Sequence, residues 1–232
     1  NLTPIPWADE GFYYDEEVDR PGKSPLHESG AYYLQEPSAM SVVPHLDIKE
    51  GDKVLVVGAG TIGVLAANAA KARGAEVYIA DIAKEKLDYA VDTFQLKGSI
   101  LNTSKEKLEE EVQRITNGNG FDVTIEAVGL PSTFQNCIDC AAYGGRVVLI
   151  GVGKKNLDFN FTIIQKKELN IFGSRNALKK DFLELIDLVK AGKVDLEKIV
   201  TNTYKLDEAD KAFKEFSENA GSMLKVVIDF TK

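Results

Sequence analysis

A glycine-rich segment that follows an apolar run is the part of the sequence best suited to hold a charged ligand. The run Val54–Val57 predicts a strand, and the chain continues Gly58-Ala59-Gly60-Thr61-Ile62-Gly63 into an alanine-rich helix. Gly58 permits a tight turn, Gly60 lets a pyrophosphate approach the backbone, and Gly63 lets the helix pack close to its strand. The phosphates would lie on backbone N–H groups at the positive end of that helix. The segment therefore predicts the binding of a dinucleotide.

An acidic residue after the second predicted strand supports this interpretation. The segment Glu76–Ala80 predicts a strand, and Asp81 follows it, 18 residues after Gly63. A carboxylate at this point can accept hydrogen bonds from both ribose hydroxyls and would repel the 2′-phosphate of NADP. NAD is therefore favoured over NADP. The alternative role of Asp81 is to cap the helix that begins near Lys84.

The elements that must position these residues are predicted from alternating strand and helix patterns with short connections, which begin at Gly51 and are typical of an α/β fold. We expect a doubly wound parallel sheet of the Rossmann type, in the order 3-2-1-4-5-6 that right-handed crossovers impose. The six predicted strands are Lys53–Val57, Glu76–Ala80, Ser99–Asn102, Asp122–Ala127, Arg146–Ile150 and Asn170–Phe172. Helices are predicted near 61–73, 84–94, 104–116, 131–141 and 178–191. Turns are predicted at Asn117-Gly118-Asn119-Gly120 and at Gly144-Gly145.

The two ends of the chain differ in character from this alternating region. After Lys193 the pattern predicts a strand, a helix and a strand, at Lys198–Tyr204, Leu206–Phe216 and Leu224–Phe230. Residues 1–50 hold six of the seven prolines and predict a looped arm that ends in a helix near 36–46. The predicted domains are thus an N-terminal arm, 1–50, and a dinucleotide-binding domain with its C-terminal tail, 51–232.

Composition limits the classes of protein and partner to consider. A chain of 232 residues with 44% hydrophobic residues can bury a sizeable core. The net charge of −8 without a basic cluster argues against a nucleic-acid partner. No apolar run approaches the roughly 20 residues that cross a bilayer, and no signal-peptide pattern is present. We therefore expect a cytoplasmic protein without a membrane partner, and the first residue, Asn1, is consistent with a fragment.

The two cysteines form a C-x-x-C pair, Cys137 and Cys140. Such a pair can be redox-active or can supply half of a zinc site. There is no second pair, and both residues fall within a predicted helix, so small apolar side chains in the core are the favoured interpretation. Among the aromatic residues of the arm, Tyr13, Tyr14, Tyr32 and Tyr33 are expected to pack over the sheet edge or a helix face. Self-association is the alternative, and we expect a monomer or a weak homodimer.

Four sequence blocks together resemble the cofactor domain of the zinc-dependent medium-chain alcohol and polyol dehydrogenases, over about Gly51 to Phe230. They are 51–63, Asp81-Ile82 with Lys86, Glu126-Ala127-Val128-Gly129, and 144–151. The resemblance implies that Gly60, Thr61 and Ile62 line the pyrophosphate and that Asp81 and Lys86 hold the adenosine ribose. It further implies cofactor contacts from the segments after the fourth, fifth and sixth strands, namely Val128, Gly129, Gly151, Val152, Gly173, Ser174 and Arg175. For any one of these valines and glycines, sheet packing or turn formation is an equal alternative.

That family also has a catalytic domain with zinc ligands before the cofactor domain, and this sequence has no such region in front of Gly51. His27 and His45, the two histidines, lie in no ligand pattern, and no tyrosine lies four residues before a lysine. We therefore assign no catalytic residue and no metal ligand, and we expect a NAD-binding module without turnover. A weakly active NAD-dependent oxidoreductase on alcohols or polyols is the alternative.

The first fifty residues resemble the segment that precedes the methyltransferase domain of bacterial ribosomal RNA 5-methylcytosine methyltransferases. The matching blocks are Glu10–Tyr14, Arg20–Lys23 and Gly30–Met40. The two resemblances imply an engineered chimera joined between Glu36 and Leu55, and the alternative is a natural dehydrogenase with a similar arm. A third function, S-adenosylmethionine binding or RNA methylation, is less favoured, because the loop Gly129-Leu130-Pro131-Ser132 holds no cysteine nucleophile.

Overall fold

The described chain begins with a short antiparallel hairpin that the sequence did not predict. The computed structural model describes the backbone of residues 3–5 and 8–13, and residues 48–175, 177, 179–219 and 222–230. Strands β1 (Thr3–Ile5) and β2 (Ala8–Tyr13) form the hairpin. The helix predicted near 36–46 lies outside the described residues. So do the predicted contacts of the arm's tyrosine side chains.

A six-stranded parallel sheet forms the centre of the molecule. In chain order its strands are β3 (Lys53–Val57), β4 (Glu76–Asp81), β5 (Gly98–Leu101), β6 (Phe121–Glu126), β7 (Ala141–Leu149) and β8 (Asn170–Gly173). Their spatial order is β5-β4-β3-β6-β7-β8. This confirms the predicted 3-2-1-4-5-6 order and defines a Rossmann-type fold. The order reverses at β3, whose Val54, Leu55 and Val56 are fully buried, as expected for a strand covered on both faces.

Helices cover both faces of this sheet and give the molecule two hydrophobic cores. They are α1 (Thr61–Ala72), α2 (Lys84–Phe94), α3 (Lys105–Thr116), α4 (Pro131–Cys140), α5 (Thr162–Lys166) and α6 (Lys179–Lys190). Side chains of α1 and α2 pack with Val54 and Val56 in one core, and side chains of α3 and α4 pack with Leu55 and Val57 in the other. Successive residues of β3 therefore point to opposite faces, as the strand geometry requires.

Two predictions about local structure need correction. The Gly144-Gly145 pair was predicted to form a turn before the fifth strand, but it lies inside β7. There the pairing with β6 skips from Ala141 opposite Phe121 to Arg146 opposite Val123, so the extra residues form a bulge, a second structure that glycines permit. The predicted helix over Leu206–Phe216 begins as a 3₁₀ turn at Leu206–Glu208, and the α-helix α7 runs from Ala209 to Glu218.

The C-terminal tail forms a separate two-stranded parallel sheet. Its strands are β9 (Val200–Lys205) and β10 (Lys225–Asp229), and α7 connects them. The tail packs on the α1 side of the large sheet, since Ile199 and Leu224 belong to the core that α1 forms. The Thr61 hydroxyl at the start of α1 also donates a hydrogen bond to the carbonyl of Leu224, at 2.7 Å. Within the described ranges, no helix is long and apolar enough to span a membrane.

Candidate functional site

A cleft of about 450 Å³ opens at the carboxyl ends of the central strands, on the face that α3 and α4 cover. Open parallel sheets bind ligands at this edge, next to the strand where the order reverses. Here that strand is β3. Among the residues that line the cleft are Gly58, Asp81, Ile82, Ser104, Val128 and Thr133. The fold thus brings Gly58, Asp81 and Val128, from three of the predicted segments, to one cavity.

The glycine turn between β3 and α1 leaves open space beside Gly60 and is closely packed at Gly63. Gly58 adopts a φ of +112°, which side chains disfavour. A Cβ on Gly60 would meet no atom within 4 Å, whereas a Cβ on Gly63 would lie 2.9 Å from the carbonyl carbon of Gly58 and closer still to its oxygen. The first helical hydrogen bond runs from the Val64 amide to the Gly60 carbonyl, at 2.9 Å. The preceding amides of α1 therefore lack partners within the helix.

Asp81 turns its carboxylate toward this glycine turn. Its Oδ2 accepts a hydrogen bond from the amide of Ala59 at 2.7 Å, and its Oδ1 accepts one from the amide of Ala83 at 2.9 Å. Ala83, rather than Asp81, is the N-cap residue of α2. The capping role considered for Asp81 is therefore limited to its hydrogen bond with the Ala83 amide. An ionised carboxylate has about four lone-pair positions. Asp81 can therefore hold the turn and still accept hydrogen bonds from a ligand in the cleft.

The loops after β6 and β7 meet at backbone distance. A Cβ on Gly129 would lie 2.7 Å from the carbonyl group of Val152, and a Cβ on Gly151 would overlap the amide nitrogen of Gly129. These two glycines are therefore required for loop packing, which is the alternative role that the sequence left open. Val128 and Val152 remain exposed, at 43% and 64%.

Three other predicted residues, Lys86, Ser174 and Arg175, are not part of the cleft lining. Lys86 is half-buried on α2, Ser174 is half-buried after β8, and Arg175 is exposed. The amide of Ser174 donates to the carbonyl of Leu149 at 2.9 Å, which places the segment after β8 beside the end of β7. None of these three residues lines the 450 Å³ cleft.

Thr61 and Ile62 line a second cavity, an apolar groove of about 500 Å³ between α1 and the tail. Phe213 and Phe216 of α7 form part of its wall, and Lys225 of β10 adds a cationic side chain. The sequence assigned the tail no part in a site, because nothing local to residues 206–228 indicates where the tail packs. The groove adjoins the first turn of α1, where the sequence predicted the pyrophosphate.

The role of Glu126 was also not predicted from the sequence. It is 2% exposed at the end of β6. Its Oε1 accepts hydrogen bonds from the amides of Val128 and Gly129 and from the Thr133 hydroxyl, at 2.9, 2.8 and 2.6 Å. The sequence did hold a signal for this role: a charged residue ends an apolar central strand. Such a side chain is buried only when it is hydrogen-bonded, so a network around it could have been predicted.

Both cysteines are buried in α4, as predicted, and they are free thiols. Burial raises the pKa of Cys137 well above its usual value and raises that of Cys140 to about 12. Neither thiol lines the cleft. Within residues 48–230, as far as they are described, no three His, Cys, Asp or Glu side chains come together in a way that could hold a metal ion. The described residues therefore do not fit a zinc ion.

Comparison with known proteins agrees with this geometry. A family model described as zinc-binding dehydrogenase matches residues 61–191. A second model, the N-terminal domain of 16S rRNA methyltransferase RsmF, matches residues 1–37. The L-galactonate-5-dehydrogenase of Escherichia coli K12 is 32% identical over 199 residues, which cover 85% of this chain and 58% of that protein. The chain spans little more than half the length of the curated relatives that it matches.

Two solved structures share the fold of this chain. The 2R,3R-butanediol dehydrogenase of Bacillus subtilis is 25% identical with a TM-score of 0.73, over 82% of this chain and 54% of that one. A short chain alcohol dehydrogenase of Escherichia coli CFT073, crystallised with NADH, is 29% identical with a TM-score of 0.72, over 81% and 55%. Since the zinc-binding dehydrogenase model covers more than half of the sequence, the chain belongs to the zinc-binding dehydrogenase family.

Proposed function

We propose that this chain binds NAD across the carboxyl end of β3. The observation that carries the proposal is the Asp81 carboxylate, which ends β4, accepts a hydrogen bond from Ala59 inside the glycine turn and lines the cleft. An acidic residue at this position of a Rossmann-type sheet holds the adenosine ribose. When bound, NAD supplies a nicotinamide ring that accepts or, once reduced, donates a hydride.

The pyrophosphate would lie over the start of α1. Gly60 leaves open space where a side chain would stand, and the amides of Thr61 and Ile62 belong to the helix N-terminus, where backbone donors and the helix dipole both favour an anion. Lys86 of α2 would assist Asp81 at the ribose. A carboxylate at position 81 would repel a 2′-phosphate, so the preferred cofactor is NAD rather than NADP.

The nicotinamide half would extend toward the loops after β6, β7 and β8. Gly129 and Gly151 set the path of the first two loops through their close backbone contact. Val128 and Val152 are the exposed side chains there, and Gly173, Ser174 and Arg175 follow the edge strand. The NADH in complex with the Escherichia coli CFT073 alcohol dehydrogenase supports a nicotinamide dinucleotide as the ligand.

For the 232-residue chain acting alone, we propose binding without turnover. Both cysteines of the sequence are buried in the core, and the two histidines lie in no ligand pattern, whereas a catalytic zinc in proteins takes three protein ligands. The second candidate is a NAD-dependent oxidoreductase on alcohols or polyols, which the names of the relatives favour. Incubation with NAD and a panel of polyols, followed by NADH absorbance, separates the two, and a rate above the blank selects the second.

The two family matches lead to a proposal about origin. Residues 1–37 and 61–191 match models of different families, and we propose that the chain joins a methyltransferase lead-in to a dehydrogenase cofactor domain, at the predicted boundary near residue 50. A variant that begins at residue 38 should keep the NAD affinity of the whole chain. A large loss of NAD affinity in this variant would show that the first segment belongs to the binding domain.

Isothermal titration tests the central proposal. The chain should show saturable binding of NAD, weaker binding of NADP, and no competition by S-adenosylmethionine. Asp81→Asn should weaken NAD binding, while Asp92→Asn, which removes an exposed carboxylate of α2, serves as the matched control. An absence of saturable heat at millimolar NAD would contradict the proposal.

A further inference from the structure

Glu126 connects several of the loops that surround the cleft. Its side chain binds the amides of Val128 and Gly129 and the hydroxyl of Thr133 in α4. Its backbone carbonyl accepts hydrogen bonds from the amides of Ile150 and Gly151, at 2.9 and 3.1 Å. A single residue thus fixes the loop after β6, the first turn of α4 and the end of β7.

The segments next to Glu126 are closely packed against one another. A Cβ on Gly151 would overlap the Oε2 atom of Glu126, and a Cβ on Gly58 would lie 2.7 Å from Cγ2 of Val128. The loop after β6 therefore contacts both the glycine turn, through Val128, and the loop after β7, through Gly129. A shift of the Val128 loop by a fraction of an ångström would change both the Gly58 turn and the wall of the cleft.

Burying a carboxylate behind a loop has a desolvation cost in free energy. Removing a charged group from water costs several kcal/mol unless hydrogen bonds replace its hydration. At Glu126 three donors converge on one oxygen atom, and two of them are the backbone amides of Val128 and Gly129, which as polar groups near the core need a partner. The arrangement ties the conformation of the loop to this side chain.

We propose that Glu126 is a positioning residue for dinucleotide binding: it does not line the cleft, but it holds Val128 and Thr133, which do. This inference rests on the proposed NAD site. It also extends that site, because Glu126 would make affinity depend on a buried carboxylate behind the cleft wall as well as on the residues that face the ligand.

The test compares Glu126→Ala, Glu126→Gln and Thr124→Val by titration with AMP and with NAD. Glu126→Ala should raise the dissociation constant for both ligands about tenfold, the effect of losing about one charge-assisted hydrogen bond. Glu126→Gln keeps one acceptor oxygen and should recover part of the affinity. Thr124→Val removes the hydrogen bond from β6 to the carbonyl of Cys137, so it destabilises the same strand without touching the loop and should leave affinity unchanged.

Amide hydrogen exchange gives a readout that needs no ligand. The amides of Val128 and Gly129 should exchange slowly in the wild type and at least about tenfold faster in Glu126→Gln, because the neutral amide oxygen is a weaker acceptor. Unchanged exchange at both amides, or equal losses of affinity in Glu126→Ala and Thr124→Val, would overturn the inference. Failure of the wild type to bind AMP or NAD would instead refute the proposed function and with it the link between Glu126 and affinity, while hydrogen exchange would still show whether Glu126 holds the loop after β6.

Discussion

Two glycines of the same turn should respond to alanine in opposite ways. At Gly60 a methyl group meets open space, and the backbone φ of −77° is acceptable to alanine. As an N-cap, alanine stabilises the helix by about 0.5 kcal/mol less than glycine does. Alanine also lowers the conformational entropy of the unfolded chain, which raises the free energy of unfolding by about 0.4–1 kcal/mol and offsets that loss. The stability of Gly60→Ala should therefore stay within about 0.5 kcal/mol of the wild type. The new methyl group would occupy the space proposed for the pyrophosphate.

At Gly63 the methyl group has no space. It would overlap the carbonyl oxygen of Gly58, and because this obstacle is backbone, the cost should reach the upper end of overpacking, about 3 kcal/mol. The higher helix propensity of alanine stabilises the folded state by about 1 kcal/mol and offsets part of this cost. The net loss of about 2 kcal/mol corresponds to a melting temperature lower by about 4–8 °C.

Thermal melts and NAD titration of both variants check this reasoning. Gly60→Ala should melt like the wild type and bind NAD about 30-fold more weakly, since forced overlap costs about 2 kcal/mol. Gly63→Ala should melt early. Wild-type NAD affinity in Gly60→Ala would refute the placement of the pyrophosphate, and a wild-type melting temperature in Gly63→Ala would refute the packing argument.

Three further outcomes follow from the structure. Asp81→Asn should weaken NAD binding about tenfold and reduce the preference for NAD over NADP, because the repulsion of a 2′-phosphate is lost; an unchanged NAD to NADP ratio in titrations would contradict the role of Asp81. Lys167 donates hydrogen bonds to the carbonyls of Ile138, Asp139 and Ala141 at the end of α4, so Lys167→Met should lower the free energy of unfolding in denaturant by about 2 kcal/mol. The control Lys84→Met, which removes only an exposed ion pair with Asp88, should lower it by at most about 0.5 kcal/mol. Burial raises the pKa of Cys140 to about 12, so the thiols should resist a disulfide reagent at pH 8 and react in denaturant. Because unfolded thiols ionise near pH 9 while folded ones stay protonated, the free energy of unfolding should fall as pH rises from about 9 to about 12; Cys140→Ala should reduce that slope.

The sheet could be predicted because its determinants are local. The run Val54–Val57 and the glycines after it identify the first strand of the sheet, and this dinucleotide-binding pattern together with right-handed crossovers favours the order 3-2-1-4-5-6. The position of Asp81 followed from the same local pattern. In the structure the Asp81 carboxylate accepts a hydrogen bond from the Ala59 amide in the glycine turn, and its contact with a ribose stays a prediction.

Other features depend on contacts between distant parts of the chain. The Thr61 hydroxyl pairs with the carbonyl of Leu224, and no pattern near either residue indicates that contact. The role of Glu126 arises only when the ends of β6 and β7 are adjacent. The bulge at Gly144 was mistaken for a turn because glycine permits both structures, and only the pairing with β6 distinguishes them.

The most direct test is the structure of the chain in crystals grown with saturating NAD. The account predicts density for a pyrophosphate over Gly60 and the first turn of α1, with a ribose hydroxyl within about 3 Å of an Asp81 carboxylate oxygen. Density for the dinucleotide in the groove beside Phe213 alone, or an Asp81 side chain without a ribose contact, would contradict it.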